Sequence, residues 1–234
     1  CIDAAKGRVP VLAGTGSNST AEAIELTRHA KQAGADAALL VMPYYNKPTQ
    51  EGMYQHFKAV QDAVAIPQYI YNIPGRSVVN MSVETMARLA ELPNIIGVKD
   101  ATADLTRPTL TRMAIAGDFN QMSGEDGTAI GFFAQGGHGC ISVTANVAPR
   151  ACAEFYAAWK AGDAVKALEL HTRLMPLHDV LFCESSPIPA KYAAYLLGKC
   201  SSEMRLPMCA PSSASKQRIE ATLRALGLLK DAAA

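Results

Sequence analysis

Asn94-Ile95-Ile96-Gly97-Val98-Lys99-Asp100-Ala101-Thr102 is a short apolar run that ends in a lysine. It is β-branched and only a few residues long, which reads as a buried strand rather than a helix. Side chains alternate along a strand, so Lys99 shares a face with Ile95 and Gly97, and Ile96 and Val98 take the other. An ammonium at the end of such a strand is either drawn out to water or held in a mostly apolar site. In the first case Lys99 and Asp100 form an inconsequential surface pair. In the second, desolvation disfavours the charged form, and a neutral amine can attack a carbonyl to give a Schiff base. This stretch alone leaves both readings open.

On either side, strand-like and helix-like segments alternate. Strands are expected at 9–14, 37–43, 67–72, 94–100, 119–123 and 138–143, and helices at 19–33, 50–63, 82–90, 105–116, 126–135 and 149–161. Ser19 and Glu22 are spaced as a capping box for the first long helix, and Gly34 suits the position just past its end. From 162 to 234 the period-2 signal stops, and the chain reads as helices with polar or proline-containing joints.

Strict βα alternation with short loops implies parallel strands and right-handed crossovers. A doubly wound nucleotide-binding sheet should open with a glycine-rich turn. Gly14-Thr15-Gly16-Ser17-Asn18-Ser19 lacks the third glycine, and no P-loop is present. The chemical-looking residues instead close several different strands: Tyr44 and Tyr45, Tyr71 and Asn72, Lys99, Ser123 and Gly124. That is the pattern of a (βα)₈ TIM barrel. The expected fold is therefore α/β, a barrel part over 1–161 and a C-terminal helical domain over 162–234. Six βα units are visible where a barrel has eight, so two strands are expected to precede Cys1.

Composition narrows the function. Of 234 residues, 49% are hydrophobic and 18% charged, enough apolar material for a sizeable core. The net charge of +1 gives no field for nucleic acid or an anionic membrane. No apolar run is long enough to span a bilayer, and no stretch reads as a signal peptide. The six cysteines show no CxxC pair and no zinc-ligand spacing, which fits reduced thiols in a cytoplasmic protein. His138 reads as lying in a strand between glycines. His171 and His178 read as lying on helices at a spacing that does not bring them together as ligands. No metal site is expected.

Several motifs stand in order: Ala13–Gly16, Pro43-Tyr44-Tyr45-Asn46-Lys47-Pro48-Thr49-Gln50-Glu51-Gly52, Tyr71-Asn72-Ile73-Pro74-Gly75-Arg76, Gly97-Val98-Lys99-Asp100-Ala101-Thr102, Ser123-Gly124-Glu125-Asp126, Gly136-Gly137-His138-Gly139-Cys140-Ile141-Ser142-Val143 and Leu206-Pro207. Together, and over essentially the whole chain, they resemble the dihydrodipicolinate synthase (4-hydroxy-tetrahydrodipicolinate synthase) family. That family belongs to the pyruvate-dependent class I aldolase and N-acetylneuraminate lyase superfamily.

The resemblance implies a lyase that condenses pyruvate with aspartate 4-semialdehyde in lysine biosynthesis, through a Schiff base on Lys99 and with no cofactor. It implies a proton relay at Tyr71 and at Tyr45, the latter reaching into a neighbouring subunit of a homotetramer built as a dimer of dimers. It implies a carboxylate-binding role for Arg76, and pyruvate-site backbone at Gly124 and Ile141. Asn18, Glu22 and Tyr44 match positions of an allosteric site for L-lysine. Without the resemblance, blander readings hold: a packed core tyrosine (Tyr69 shares the face of Tyr71), an interface aromatic, a solvated loop arginine, tight strand-end packing, and a Glu22 that only completes its capping box.

Two departures stand out. The family's Gly-Thr-Thr-Gly-Glu motif, whose threonines bind pyruvate and complete the relay, is absent along with its strand. Asp100 stands where many members carry glutamate, a minor change. Two alternatives are a related sugar-acid aldolase, against which Arg76 and the Pro-Tyr-Tyr-Asn-Lys-Pro stretch argue, and a truncated non-catalytic form.

Overall fold

Six parallel strands pair in chain order, β1 to β6, in the computed structural model, which describes residues 1–229. They are β1 (Leu12–Gly14), β2 (Ala37–Val41), β3 (Gln68–Asn72), β4 (Ile95–Asp100), β5 (Asn120–Ser123) and β6 (Gly139–Cys140). The helices that precede and connect them are α1 (Ile2–Ala5), α2 (Thr20–Gln32), α3 (Gln50–Ala63), α4 (Pro74–Ser77), α5 (Val83–Ala90), α6 (Arg107–Ala114) and α7 (Ala129–Ala134). After β6 come α8 (Pro149–Lys160), α9 (Ala164–Val180), α10 (Ile188–Leu196) and α11 (Ser213–Ala225). The strand order never reverses, which excludes a doubly wound sheet and matches barrel winding.

Contacts divide the chain into two units, Cys1–Gly124 with Gly131–Ile141, and Glu125–Ile130 with the residues from Ser142 onward. The first unit holds the whole sheet. Ala38, Leu40, Ile70 and Val98 lie on one face of it, essentially without exposure, against Ala23 of α2, Met53, Phe57 and Val60 of α3, and Met86 and Leu89 of α5. Each large side chain fully buried there is worth about 1.5–3 kcal/mol over an exposed one. The alternate residues Leu39, Val41, Tyr69, Tyr71 and Lys99 are only half-buried, so the opposite face is the more open one.

The second unit is built on helices. Leu174, Leu177, Val180 and Leu181 pack with Ala190, Ala193, Ile219 and Leu223. Pro176 lies inside α9 rather than in a joint. Contacts group α8 with the later helices because it packs along α9, whereas the sequence boundary lies at 161/162. Residues 230–234 of the expected helical domain lie outside the described residues.

Some segments differ from expectation. The strand expected at 138–143 is only Gly139–Cys140, because the amides of Val143 and Thr144 donate to Asp126 Oδ2 at 2.8 and 3.1 Å instead of to a strand. His138, expected within the strand, sits just before it, exposed, its Nδ1 accepting from the Gln121 amide at 3.0 Å. The helix expected at 126–135 is a 3-10 turn (Asp126–Thr128) followed by α7. The helix expected from 105 starts at Arg107, since Thr102 Oγ1 and Asp104 Oδ1 take the amides of Asp104 and Thr106 into side-chain turns. The capping box is only half formed. Ser19 Oγ accepts from the Glu22 amide at 3.5 Å, but the Glu22 carboxylate bonds Ser17 Oγ, which itself accepts from the Ser19 amide at 3.1 Å. Asn18 precedes the first helical residue, Thr20, so Asn18 and Glu22 are not neighbours on a helix.

Candidate functional site

Strand register builds the site in rows. Val41, Tyr71, Lys99 and Met122 pair in sequence across β2 to β5, and Leu39, Tyr69, Gly97 and Asn120 form the row beneath. Both rows face away from the helix-packed core, because side chains alternate. The Lys99 Nζ lies 4.1 Å from the centroid of the Tyr71 ring, over its face.

Glycines shape the surroundings of that lysine. A Cβ on Gly97 would lie 2.4 Å from the Asn120 carbonyl oxygen and 2.6 Å from Tyr69 Cε1. Glycine there lets the Tyr69 ring lie against the strand below Lys99, and burial pushes the Tyr69 phenol above its usual pKa. A Cβ on Gly124 would lie 3.1 Å from Lys99 Cε and 2.6 Å from Ala101 Cβ, so Gly124 abuts the lysine stem. The Gly124 amide donates to the Asp100 carbonyl at 2.7 Å, and the Ile141 amide to the Ser123 carbonyl at 2.9 Å. Gly124 and Ile141 thus continue the strand-end ladder beside Lys99.

The loops after β2 and β3 carry the other expected residues. Tyr45 is 87% exposed and held at φ 75°, a left-handed conformation uncommon for a tyrosine. Arg76 is exposed in α4, which follows β3 almost at once. Tyr44 is exposed too, and Asn46 beside it ties two loops together. Its amide donates to the Tyr44 carbonyl at 3.0 Å and its Nδ2 to the Asn18 carbonyl at 2.9 Å. The structure thus brings Lys99, Tyr71 and Gly124 into contact, and separately joins the Asn18 and Tyr44 loops.

Asp100 corrects the surface-pair reading. Its carboxylate is buried and accepts from Arg107 Nε at 2.8 Å and from Thr102 Oγ1 at 2.6 Å. Alternation puts it on the face of Val98, opposite Lys99. That signal was available in the sequence: a carboxylate on a buried face demands a partner. Arg107 and Thr102 have no expected role and Asn72 was expected only among the strand-closing residues, yet all three hold the strand ends that carry the site.

The rings of His171 and His178 lie nearer one another than the sequence reading suggested. His171 and His178 stand two turns apart on α9 with ring centroids 5.7 Å apart. Burial holds both imidazoles below their usual pKa, against an opposing pull from Asp126. Among the described residues no cluster of histidine, cysteine and acidic side chains is arranged to hold a metal.

The family model described as "Dihydrodipicolinate synthetase family" matches residues 1–226. The chain belongs to this family. The 4-hydroxy-tetrahydrodipicolinate synthase of Rhodospirillum centenum is 64% identical over 229 residues, covering 98% of this chain and 79% of the relative. A crystal structure of chloride-inhibited dihydrodipicolinate synthase from Acinetobacter baumannii, complexed with pyruvate, superposes with a TM-score of 0.94 at 48% identity, over 97% of this chain and 78% of that one. The enzyme from Cyanidioschyzon merolae with lysine bound gives 0.93 at 37% identity, over 97% and 78%. The six-stranded parallel sheet is thus of the same α/β type as these family structures.

Proposed function

We propose that this protein condenses pyruvate with aspartate 4-semialdehyde, through a Schiff base on Lys99, to give 4-hydroxy-tetrahydrodipicolinate in the diaminopimelate route to lysine. The Lys99 amine adds to the pyruvate ketone and water leaves, forming the iminium. Loss of a methyl proton gives the enamine, which attacks the aldehyde carbon. The amine of the semialdehyde then adds to the iminium carbon, closes the ring and releases Lys99. The iminium supplies the electron sink, so the chemistry needs no cofactor.

Residue roles follow. Tyr71 relays protons, since a phenol can both donate and accept. Tyr45 completes the relay in a neighbouring subunit, which suits an aromatic side chain held so far into solvent. The Arg76 guanidinium binds the semialdehyde carboxylate as a fork. Gly124 and Ile141 line the pyruvate pocket with backbone. Asn18, Glu22 and Tyr44 form the lysine feedback site, a reading supported by the Asn46 bond that joins their loops and by the lysine-bound relative. The reading includes an eight-stranded barrel with its catalytic part over 1–161 and a helical extension over 162–234. It also includes a homotetramer built from dimers and a cytoplasmic location, which the six free cysteines support.

One observation carries the proposal. Lys99, next to last in β4, rests on the face of Tyr71 with Gly124 against its stem, in a chain of this family. The test is steady-state turnover with pyruvate and either aspartate 4-semialdehyde or a polyhydroxylated aldehyde. Turnover with the semialdehyde at a kcat/KM at least about 10⁴-fold higher, the discrimination of a site built to hydrogen-bond a substrate group, supports the reading. Preference for the polyhydroxylated aldehyde contradicts it.

A further inference from the structure

Asp100 and Arg107 form an ion pair, Oδ2 to Nε 2.8 Å, with side chains only 6% and 9% exposed. The pair lies on the face of the sheet opposite Lys99, yet it grips the residue bonded directly to that lysine. Asp100 Oδ1 accepts from the Thr102 amide at 3.0 Å and from its hydroxyl at 2.6 Å, and the Asp100 carbonyl accepts from the Gly124 amide at 2.7 Å. Arg107 reaches further, its Nη2 donating to the Met81 carbonyl at 2.9 Å. The Met81 amide donates to Asn72 Oδ1 at 3.2 Å, and the Asn72 carbonyl accepts from the Ala101 amide at 2.9 Å. Asn72 Nδ2 adds a bond to Asn80 Oδ1 at 2.8 Å.

These bonds close a circuit: Asp100 to Arg107, to Met81, to Asn72, and back to Ala101. Asn72 follows Tyr71 and Asp100 follows Lys99, while the segment between Asn72 and Met81 carries Arg76. One buried ring therefore ties together the segments that carry Tyr71, Lys99 and Arg76. Stability alone does not account for it, because desolvating two charges offsets most of their attraction and an apolar pair would pack as well. The guanidinium supplies what an apolar pair cannot, two donors in a fixed plane aimed at two acceptors on different segments. Reaction rates are sensitive at this scale, since a misplacement of about 1 Å costs about 100-fold.

We infer that Arg107 and Asp100 are positioning residues, which fix Lys99, Tyr71 and the Arg76 segment relative to one another. The inference rests on the role proposed for Lys99.

The variant Arg107→Lys keeps a charge beside Asp100 but cannot hold Asp100 and Met81 in one plane. The double variant Asp100→Asn with Arg107→Gln removes both charges together and serves if the first does not fold. Each is assayed well below its melting temperature for kcat and both KM values, alongside amide hydrogen exchange. The expected result is a kcat lower by about 10- to 100-fold with a raised KM for the semialdehyde. Exchange should be faster at 72–82 and 99–104 and unchanged in the rest of the sheet. A kcat within about twofold of the parent, or faster exchange throughout the sheet, overturns the inference. If the parent enzyme itself forms no pyruvate adduct, the proposed function fails, and the exchange pattern still decides whether Arg107 fastens the two strand ends.

Discussion

Lys99 Nζ stands 4.1 Å above the centroid of the Tyr71 ring, so the tyrosine offers its face to the amine, besides the hydroxyl proposed to relay protons. A cation over an aromatic face is attracted by the ring quadrupole. The iminium of the proposed reaction would carry its charge over that same face. The two contributions are separable. Tyr71→Phe keeps the face and loses the hydroxyl, so it should still form the pyruvate adduct while kcat drops about 10²- to 10⁴-fold, the range of a lost proton shuttle. Tyr71→Leu should also slow adduct formation. Equal adduct rates in the two variants would remove the ring face from the account.

Gly124 abuts the lysine stem, and an added methyl would meet Ala101 Cβ at 2.6 Å and Lys99 Cε at 3.1 Å. Gly124→Ala should therefore displace Lys99 at a stability cost of about 1–3 kcal/mol, the usual toll of overpacking. The measurement pairs denaturant unfolding with turnover. A loss of turnover larger than the loss of folded protein is the expected outcome.

Stability should fall as the solution is acidified through the histidine range. Burial is the main cause that holds His56, His171 and His178 below the usual imidazole pKa. In the unfolded chain each titrates near about 6.5. Below that pH the unfolded state binds protons that the native state refuses, so stability declines as pH drops and levels off once the native imidazoles also protonate. Above about 6.5 both states are neutral and the effect vanishes. Melting temperatures between about pH 8 and 5.5 should show this slope. His171→Asn should reduce it, and an unchanged slope in that variant would exclude His171 as a contributor.

Cysteine labelling should sort the thiols by environment. Burial pushes the Cys152 thiol up to about 11, with Asp126 adding to the shift, whereas Cys1, Cys200 and Cys209 are exposed. Only the thiolate is nucleophilic. Alkylation of the native protein near neutral pH, followed by peptide mapping, should mark the three exposed cysteines and spare Cys152.

Much of this fold was legible in the pattern of the chain. The helix at 50–63 appears at the expected bounds, and the strand that carries Lys99 starts one residue later than expected. Local periodicity was enough to find both elements, but not every face: the register shifts between Gln68 and Tyr69, and Ile95, expected on the face of Lys99, lies in the core with Val98. The strand expected at 138–143 was not legible, since a remote carboxylate, Asp126, takes its later amides. The partner of Asp100 was half legible. Alternation put the carboxylate on the buried face, but nothing local pointed to Arg107. Tyr45 stays beyond a single chain, because the role proposed for it needs a second copy.

The central claim is that Lys99 forms a Schiff base with pyruvate. Borohydride reduction in the presence of pyruvate, read by intact mass and then by peptide mapping, tests it directly. The account requires one pyruvate-derived adduct per chain, located on Lys99 and lost in Lys99→Arg. A folded protein that gives no adduct, or one that carries it on another lysine, would contradict the account.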